Sequence, residues 1–97
     1  MDLKETIRSI PDWPIKGVIF RDLTTLMQNP LAFKKSCDIL YDRYKDMSID
    51  KIVGIDARGF VFGAVLAYKL GIGFIPVRKK GKLPWKTIQE TYSLEYG

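Results

Sequence analysis

A cluster of cations follows an apolar segment in the stretch GIGFIPVRKKGKLP, which runs from Gly71 to Pro84. No acidic residue occurs between Asp56 and Glu90, so these cations are not offset by nearby carboxylates in the sequence. Such a cluster creates a local field that attracts anions. It predicts an anion-binding site, with a solvated basic loop as the alternative for any run of this kind. The cations are Arg78, Lys79, Lys80, Lys82 and Lys86.

Several other kinds of chemistry are excluded because histidine is absent and Cys37 is the only cysteine. An internal disulfide is therefore excluded. So are a Ser/His or Cys/His nucleophile pair and a conventional zinc site. Free cysteine is often simply a buried small side chain, and we expect Cys37 to be a core residue.

The length of 97 residues corresponds to one domain or to part of one, and the net charge is +5. A composition of 46% hydrophobic and 28% charged residues is typical of a globular protein. No apolar run reaches the roughly 18 residues of a membrane span, and the start MDLKETIRSI lacks the apolar block of a signal peptide. We therefore expect a cytoplasmic protein without a membrane partner.

The N-terminal residues show two kinds of pattern. Apolar residues at helical spacing predict a short helix over residues 2–10, which ends before Pro11. Residues 11–22 contain two prolines and one glycine and are predicted to be irregular. Because their centre, residues 18–20, is apolar, we expect this segment to pack on the core or on a ligand.

A second helix is predicted over residues 31–46. Asn29 can cap it, and Pro30 suits the first helical position because the missing N–H has no helical partner there. Apolar side chains recur along one face of this helix. This stripe consists of Phe33, Cys37, Leu40, Tyr41 and Tyr44.

A βαβ unit is predicted over residues 51–77. The apolar runs KIVGI and GFIPV have strand length, and a helix from about residue 60 to residue 70 lies between them. A helical crossover of this length joins parallel strands, and strands that are apolar throughout predict a sheet covered on both faces. In parallel α/β sheets, ligands bind beyond the carboxyl ends of the strands. Asp56–Gly59 and the cation cluster both leave such ends, so a phosphate or polyphosphate site is predicted there.

Four stretches of the sequence resemble the adenine phosphoribosyltransferases, which are type I phosphoribosyltransferases. They are GVIFRDLTTLM at 17–27, VGIDARGFVFG at 53–63, PVRKKGKLP at 76–84 and YSLEYG at 92–97. The resemblance implies an α/β, parallel-sheet, Rossmann-like phosphoribosyltransferase fold, of which this chain is the N-terminal half with a flexible hood. It implies one partial domain, 1–97, with helices and an adenine loop at 1–47, the βαβ unit at 51–77, and a basic loop and hood arm at 78–97.

The resemblance implies a purine-salvage reaction in which adenine and 5-phosphoribosyl pyrophosphate give AMP and pyrophosphate. Magnesium is bound through phosphoribosyl pyrophosphate, and no metal ligand of the protein is implied. Glu95 is the implied catalytic carboxylate, and Tyr96 belongs to the hood. Lys80 and Lys86 add only to the field. The implied adenine-binding residues are Ile19, Phe20 and Arg21, and the implied pyrophosphate-binding residues are Asp56, Ala57, Arg58, Gly59, Arg78, Lys79 and Lys82.

Three further expectations depend on the resemblance. A cis peptide bond is expected between Asp56 and Ala57. A homodimer is expected of the full-length enzyme. The family's phosphoribosyl pyrophosphate signature, two aspartates followed by a small-residue loop, is not found in the 97 residues, so we expect this chain to be inactive by itself.

Two alternative functions remain open on the sequence. One is a basic nucleic-acid-binding module that uses residues 78–86. Such a module needs aromatic side chains among the cations, and only Trp85 is available for this role. The other is a phosphoribosyltransferase for a different base, since only the family resemblance of residues 17–22 favours adenine.

Overall fold

The computed structural model describes residues 2–83. Residues 2–33 belong to one compact unit, the N-terminal unit, and residues 34–83 belong to another, the second unit. Within this part of the chain, no helix is both long enough and apolar enough to cross a bilayer. The division into 1–47, 51–77 and 78–97 stays a prediction.

The N-terminal unit contains a β-hairpin where the sequence predicted a helix. A short 3-10 helix at Leu3–Thr6 is followed by β1, Arg8–Pro11, which pairs antiparallel with β2, Ile19–Asp22. The predicted helix over residues 2–10 is therefore wrong beyond its first turn. Tertiary pairing outweighs local spacing here, because Arg8 lies opposite Asp22 and forms an ion pair with it at 2.8 Å.

The segment predicted to be irregular is irregular only between the two strands. The Trp13–Pro14 peptide bond is cis, and Gly17 has a φ of 88°. The Asp12 carboxylate accepts a hydrogen bond from the Gly17 amide at 2.9 Å, which helps to close this loop. A five-residue helix that the sequence did not predict, α1, follows β2 at Thr24–Gln28.

The predicted second helix is confirmed as α2, Pro30–Tyr44. The Asn29 side chain accepts hydrogen bonds from the amides of Leu31 and Ala32, both at 3.1 Å, so Asn29 caps the helix as expected. Cys37 is buried and free, in agreement with its prediction as a core residue.

The βαβ unit is confirmed. Strand β3, Lys51–Ile55, is parallel to β4, Gly73–Val77, and α3, Arg58–Leu70, connects them. Helix α3 begins two residues earlier than predicted. It ends at Gly71, which has a φ of 72° and is therefore in the left-handed region that favours glycine.

Phe74 of β4 occupies space that two glycines leave free. Gly54 lies on β3 and Gly63 on α3, and a Cβ atom at either position would come within 2.6 Å of the Phe74 ring. The Phe60 ring meets the Phe74 ring edge-on, with centroids 5.8 Å apart. This aromatic pair joins α3 to the sheet, and Leu66 of α3 is buried.

The other face of the β3–β4 sheet is exposed. Its apolar side chains retain between 44% and 61% of their accessible surface. The expectation of a sheet covered on both faces is therefore wrong for residues 2–83, because only α3 packs extensively on the two strands in this part of the chain. These side chains are Val53, Ile55, Ile75 and Val77.

Candidate functional site

The carboxyl ends of β3 and β4 bring Asp56 and Arg78 together. Ile55 and Val77 are paired at the ends of the two strands, so the next residue of each strand leaves the sheet at the same edge. Arg78 Nε lies 3.4 Å from Asp56 Oδ2, and its Nη1 donates to the Lys82 carbonyl at 3.4 Å. We call this edge, comprising residues 56–59 and 78–82, the rim.

The rim also contains the start of α3. Arg58 is the first residue of this helix, and Ala57 at the N-cap makes no side-chain capping hydrogen bond. The Phe60 amide donates to the Ala57 carbonyl at 3.1 Å. Arg58 and Gly59 lie in the first turn of α3, and the helix dipole favours an anion at this end.

Backbone geometry of the rim confirms one expectation. The Asp56–Ala57 peptide bond is cis. In the basic loop, Gly81 has a φ of 85°, and the Lys82 amide donates to the Lys79 carbonyl at 3.1 Å. This turn places the Lys82 carbonyl where it accepts the hydrogen bond from Arg78.

The rim carries four cationic side chains from the basic loop and one from α3. Arg78 contacts the Asp56 carboxylate, and its guanidinium also lies 5.9 Å from the centre of the Phe60 ring. The lysines are exposed residues. The five cations are Arg58, Arg78, Lys79, Lys80 and Lys82.

The predicted adenine-binding residues lie together on β2 of the N-terminal unit. Ile19 is 55% exposed. Phe20 is half-buried and meets Trp13 edge-on, with ring centroids 4.5 Å apart. The Arg21 guanidinium donates to the Ser9 hydroxyl on β1. A cavity of about 470 Å³ adjoins this strand, and its lining includes Lys4, Ile7, Ser9 and Arg21.

A hydrogen-bond network around Asp22 supports this strand, and the sequence reasoning missed it. The carboxylate accepts from Arg8 Nη2 at 2.8 Å and from the Thr24 amide at 2.9 Å. The Thr25 hydroxyl donates to the Thr6 carbonyl at 2.6 Å. Hydrogen bonds from Thr24, followed by that from Arg8, lower the pKa of Asp22 from 3.8 to about 2. The pattern RDLTT already contained the signal, since an aspartate two residues before threonine can cap a helical turn.

The lowered pKa of Asp22 predicts an acid-dependent loss of stability. Because the folded state binds this proton more weakly than the unfolded state, the stabilisation is present above pH 3.8 and is lost as the pH falls toward 2. Asp22→Asn should flatten the dependence of the melting temperature on pH between these values. Asp46→Asn is the control, since Asp46 has no hydrogen bond or ion pair within residues 2–83. An equal flattening by both substitutions would contradict the prediction.

Four residues singled out by the sequence lie outside residues 2–83. Glu95 and Tyr96 are the implied catalytic and hood residues, and Trp85 and Lys86 extend the basic loop. Their predicted roles therefore stay predictions.

Comparison with known proteins identifies the family. The phosphoribosyl transferase domain model matches residues 22–95. The adenine phosphoribosyltransferase of Desulfosudis oleivorans is 68% identical over 97 residues, which are 100% of this chain and 56% of that protein. This chain thus belongs to the phosphoribosyltransferase family. Its relatives within the family are adenine phosphoribosyltransferases, and it spans about half of their length.

Solved structures agree with this assignment. The APRTase of Giardia lamblia, complexed with 9-deazaadenine, has a TM-score of 0.92 and 41% identity, covering 98% of this chain and 52% of that one. The Trypanosoma brucei enzyme, in complex with AMP, pyrophosphate and ribose-5-phosphate, has a TM-score of 0.85 and 28% identity. Its match covers 96% of this chain and 42% of that one. The fold is therefore that of the type I phosphoribosyltransferases.

Proposed function

We propose that this chain is part of an adenine phosphoribosyltransferase and supplies the adenine-binding strand and the pyrophosphate-binding rim. The observation that carries the proposal is the convergence of Arg78 and the start of α3 at the carboxyl ends of two parallel strands. The relatives' complexes with 9-deazaadenine and with AMP and pyrophosphate support it. The alternative of a nucleic-acid-binding loop gains no support from Arg78, which turns toward Asp56.

The rim is suited to stabilise a leaving pyrophosphate. In the proposed reaction N9 of adenine attacks C1 of the ribose, the bond from C1 to the pyrophosphate oxygen breaks, and its electron pair leaves with that oxygen. Negative charge therefore grows on the leaving group as the bond lengthens. Fixed cations and helix N-terminal amides at this position stabilise the transition state more than the ground state. We assign this role to Arg58, Gly59, Arg78, Lys79 and Lys82, with Ala57 contributing backbone only.

Strand β2 is suited to bind the base through its backbone. Ile19 and Arg21 are two residues apart on one strand, so their main-chain groups point to the same side. A fixed pattern of donors and acceptors discriminates between purines, because a wrong exocyclic group leaves a polar group unpaired. The Phe20 ring is proposed to stack on the base, and Glu95 to handle the proton near its imidazole side.

We also propose that the full-length enzyme uses magnesium, forms a homodimer and is located in the cytoplasm. These three proposals are based only on the family resemblance. Among residues 2–83, no group of three or more acidic or cysteine side chains is placed to hold a metal ion. The proposal puts the magnesium ion on the phosphates of phosphoribosyl pyrophosphate. There it would offset part of the charge that the rim cations also stabilise.

A chimeric enzyme tests the proposed function. Residues 1–97 are joined to the remainder of the Desulfosudis oleivorans relative, beyond its matching 97 residues. We expect the chimera to form AMP from adenine and phosphoribosyl pyrophosphate and to give no nucleotide from hypoxanthine or guanine. The 97-residue chain alone should form no AMP, because it lacks the aspartate-pair signature. Nucleotide products are measured by chromatography.

The controls separate the remaining alternatives. The relative itself calibrates the assay, and its C-terminal portion alone should be inactive. A folded chimera that uses hypoxanthine or guanine instead would indicate a transferase for another base. Oligonucleotide binding that falls steeply with salt, without a response to adenine or AMP, would favour the nucleic-acid-binding alternative.

A further inference from the structure

Asp56 has no group left to donate to an anion. Its amide donates to the Val77 carbonyl at 3.0 Å and so continues the hydrogen bonding between the two strands. Its carboxylate accepts hydrogen bonds from Arg78 and repels a negatively charged ligand. Asp56 nevertheless belongs to the rim, directly after β3, and its side chain is 27% exposed.

Arg78 is held on three sides. Its Nε donates to Asp56, its Nη1 donates to Lys82, and its guanidinium lies near the Phe60 ring. A guanidinium has five N–H donors, and within residues 2–83 these two hydrogen bonds use two of them. In this part of the chain, three donors remain for an external acceptor, and the arginine side chain is 37% exposed.

We propose that Asp56 is a positioning residue that holds Arg78 in place for pyrophosphate and that it does not bind pyrophosphate itself. This inference rests on the proposed function and assigns Asp56 a role different from that of the cations around it. The carboxylate fixes the Nε side of the guanidinium, so that the opposite side faces the ligand. Pyrophosphate then binds an arginine that is already ordered, and less side-chain entropy is lost on binding.

If Asp56 positions Arg78, its removal should change the affinity for pyrophosphate in the direction opposite to that expected if Asp56 only contributes a negative charge. A carboxylate near an anion site that only contributes its field weakens anion binding, so its removal should strengthen binding. A carboxylate that positions Arg78 should have the reverse effect. The sign of the change therefore distinguishes the two roles.

The first experiment measures binding of inorganic pyrophosphate with magnesium to the 97-residue chain by calorimetry at fixed ionic strength. Asp56→Ala should weaken binding by about three- to fivefold, as expected for a partly exposed ion pair. Asp50→Ala is the matched control, because it removes the same charge just before β3, at the opposite edge of the sheet. It should leave the affinity unchanged or slightly raised. Tighter binding by Asp56→Ala would overturn the inference.

A double-substitution cycle tests whether Asp56 acts through Arg78. In a chain that already carries Arg78→Ala, adding Asp56→Ala should change the pyrophosphate affinity by less than about twofold. If Asp56→Ala weakens binding equally in the presence and absence of Arg78, then Asp56 contacts the ligand or its magnesium ion, and the inference is wrong.

A measurement without ligand keeps the inference separate from the proposed function. In the 15N-labelled chain, the Arg78 Nε–H signal should exchange slowly with water, and Asp56→Ala should accelerate this exchange about threefold or more. Arg78→Lys removes the signal and so assigns it. A protected signal without pyrophosphate binding would refute the proposed function of the rim and leave the positioning of Arg78 intact. A signal that is unprotected in the wild-type chain would overturn the positioning.

Discussion

Arg78→Ala should lower kcat/KM for phosphoribosyl pyrophosphate by about a hundredfold in the chimeric enzyme. Removal of one preorganised donor from a site of developing negative charge typically costs this much or more. Arg78 fits that description, because Asp56, the Lys82 carbonyl and the Phe60 ring hold its guanidinium. The effect should fall on the steps that involve pyrophosphate, so the KM for adenine should change by less than about threefold.

Lys80→Ala is the matched control for this prediction. It removes the same charge two residues away, from an exposed side chain that is expected to add only to the field. We expect a loss of less than about threefold, and addition of salt should reduce that loss further. Equal losses from the two substitutions would contradict a specific role for Arg78 and indicate that the basic loop acts only through its net charge.

Gly54→Ala should destabilise the chain by about 3 kcal/mol, at the upper end of the usual range for overpacking. The new Cβ atom would lie 2.6 Å from the Gly59 carbonyl oxygen and 2.6 Å from two carbon atoms of the Phe74 ring. The contact with Gly59 is the more severe of the two, because a backbone atom in the first turn of α3 cannot move without displacing the start of the helix. Urea unfolding measures the change.

Two other glycines provide the controls. At Gly59 a Cβ atom would meet its nearest neighbour at 3.5 Å, so Gly59→Ala should change stability by less than about 1 kcal/mol. At Gly63 the three nearest atoms that a Cβ atom would meet outside the helix backbone all belong to side chains, and Phe74 Cε1 is the closest at 2.6 Å. Phe74→Leu should therefore rescue Gly63→Ala and fail to rescue Gly54→Ala. If Phe74→Leu fully restored the stability of both glycine variants, the Phe74 ring alone would limit the space at Gly54. The proposed role of the Gly59 carbonyl would then be wrong.

Local signals predicted α2 and the βαβ unit well. Asn29 and Pro30 fix the start of α2 through a capping side chain and a residue suited to the first turn, and these effects act within a few residues. The apolar runs of β3 and β4, with a helix between them, leave a parallel pairing as the available arrangement. The order of these elements also places Arg58 and the basic loop at one edge of the sheet, which is why the rim could be predicted.

The N-terminal residues show where local signals are insufficient. Leu3, Ile7 and Ile10 have helical spacing, yet residues 8–11 form a strand. Pairing with residues 19–22 joins positions that are between 8 and 14 residues apart, and the spacing of apolar residues within 2–10 does not contain that information. The same limit applies to one part of the Asp22 network, the ion pair with Arg8, because Arg8 lies on the other strand.

The sequence by itself determined the family, the order of the main elements and the position of the cations directly after β4 in the chain. These features depend on residue types and on short-range spacing. Only the tertiary structure shows which cation is fixed by its neighbours and which groups contact it. Arg78 and Asp56 are 22 residues apart and meet because β3 and β4 pair in parallel with Ile55 opposite Val77. The need for glycine at 54 was decided in the same way, since the ring that fills its space comes from another strand.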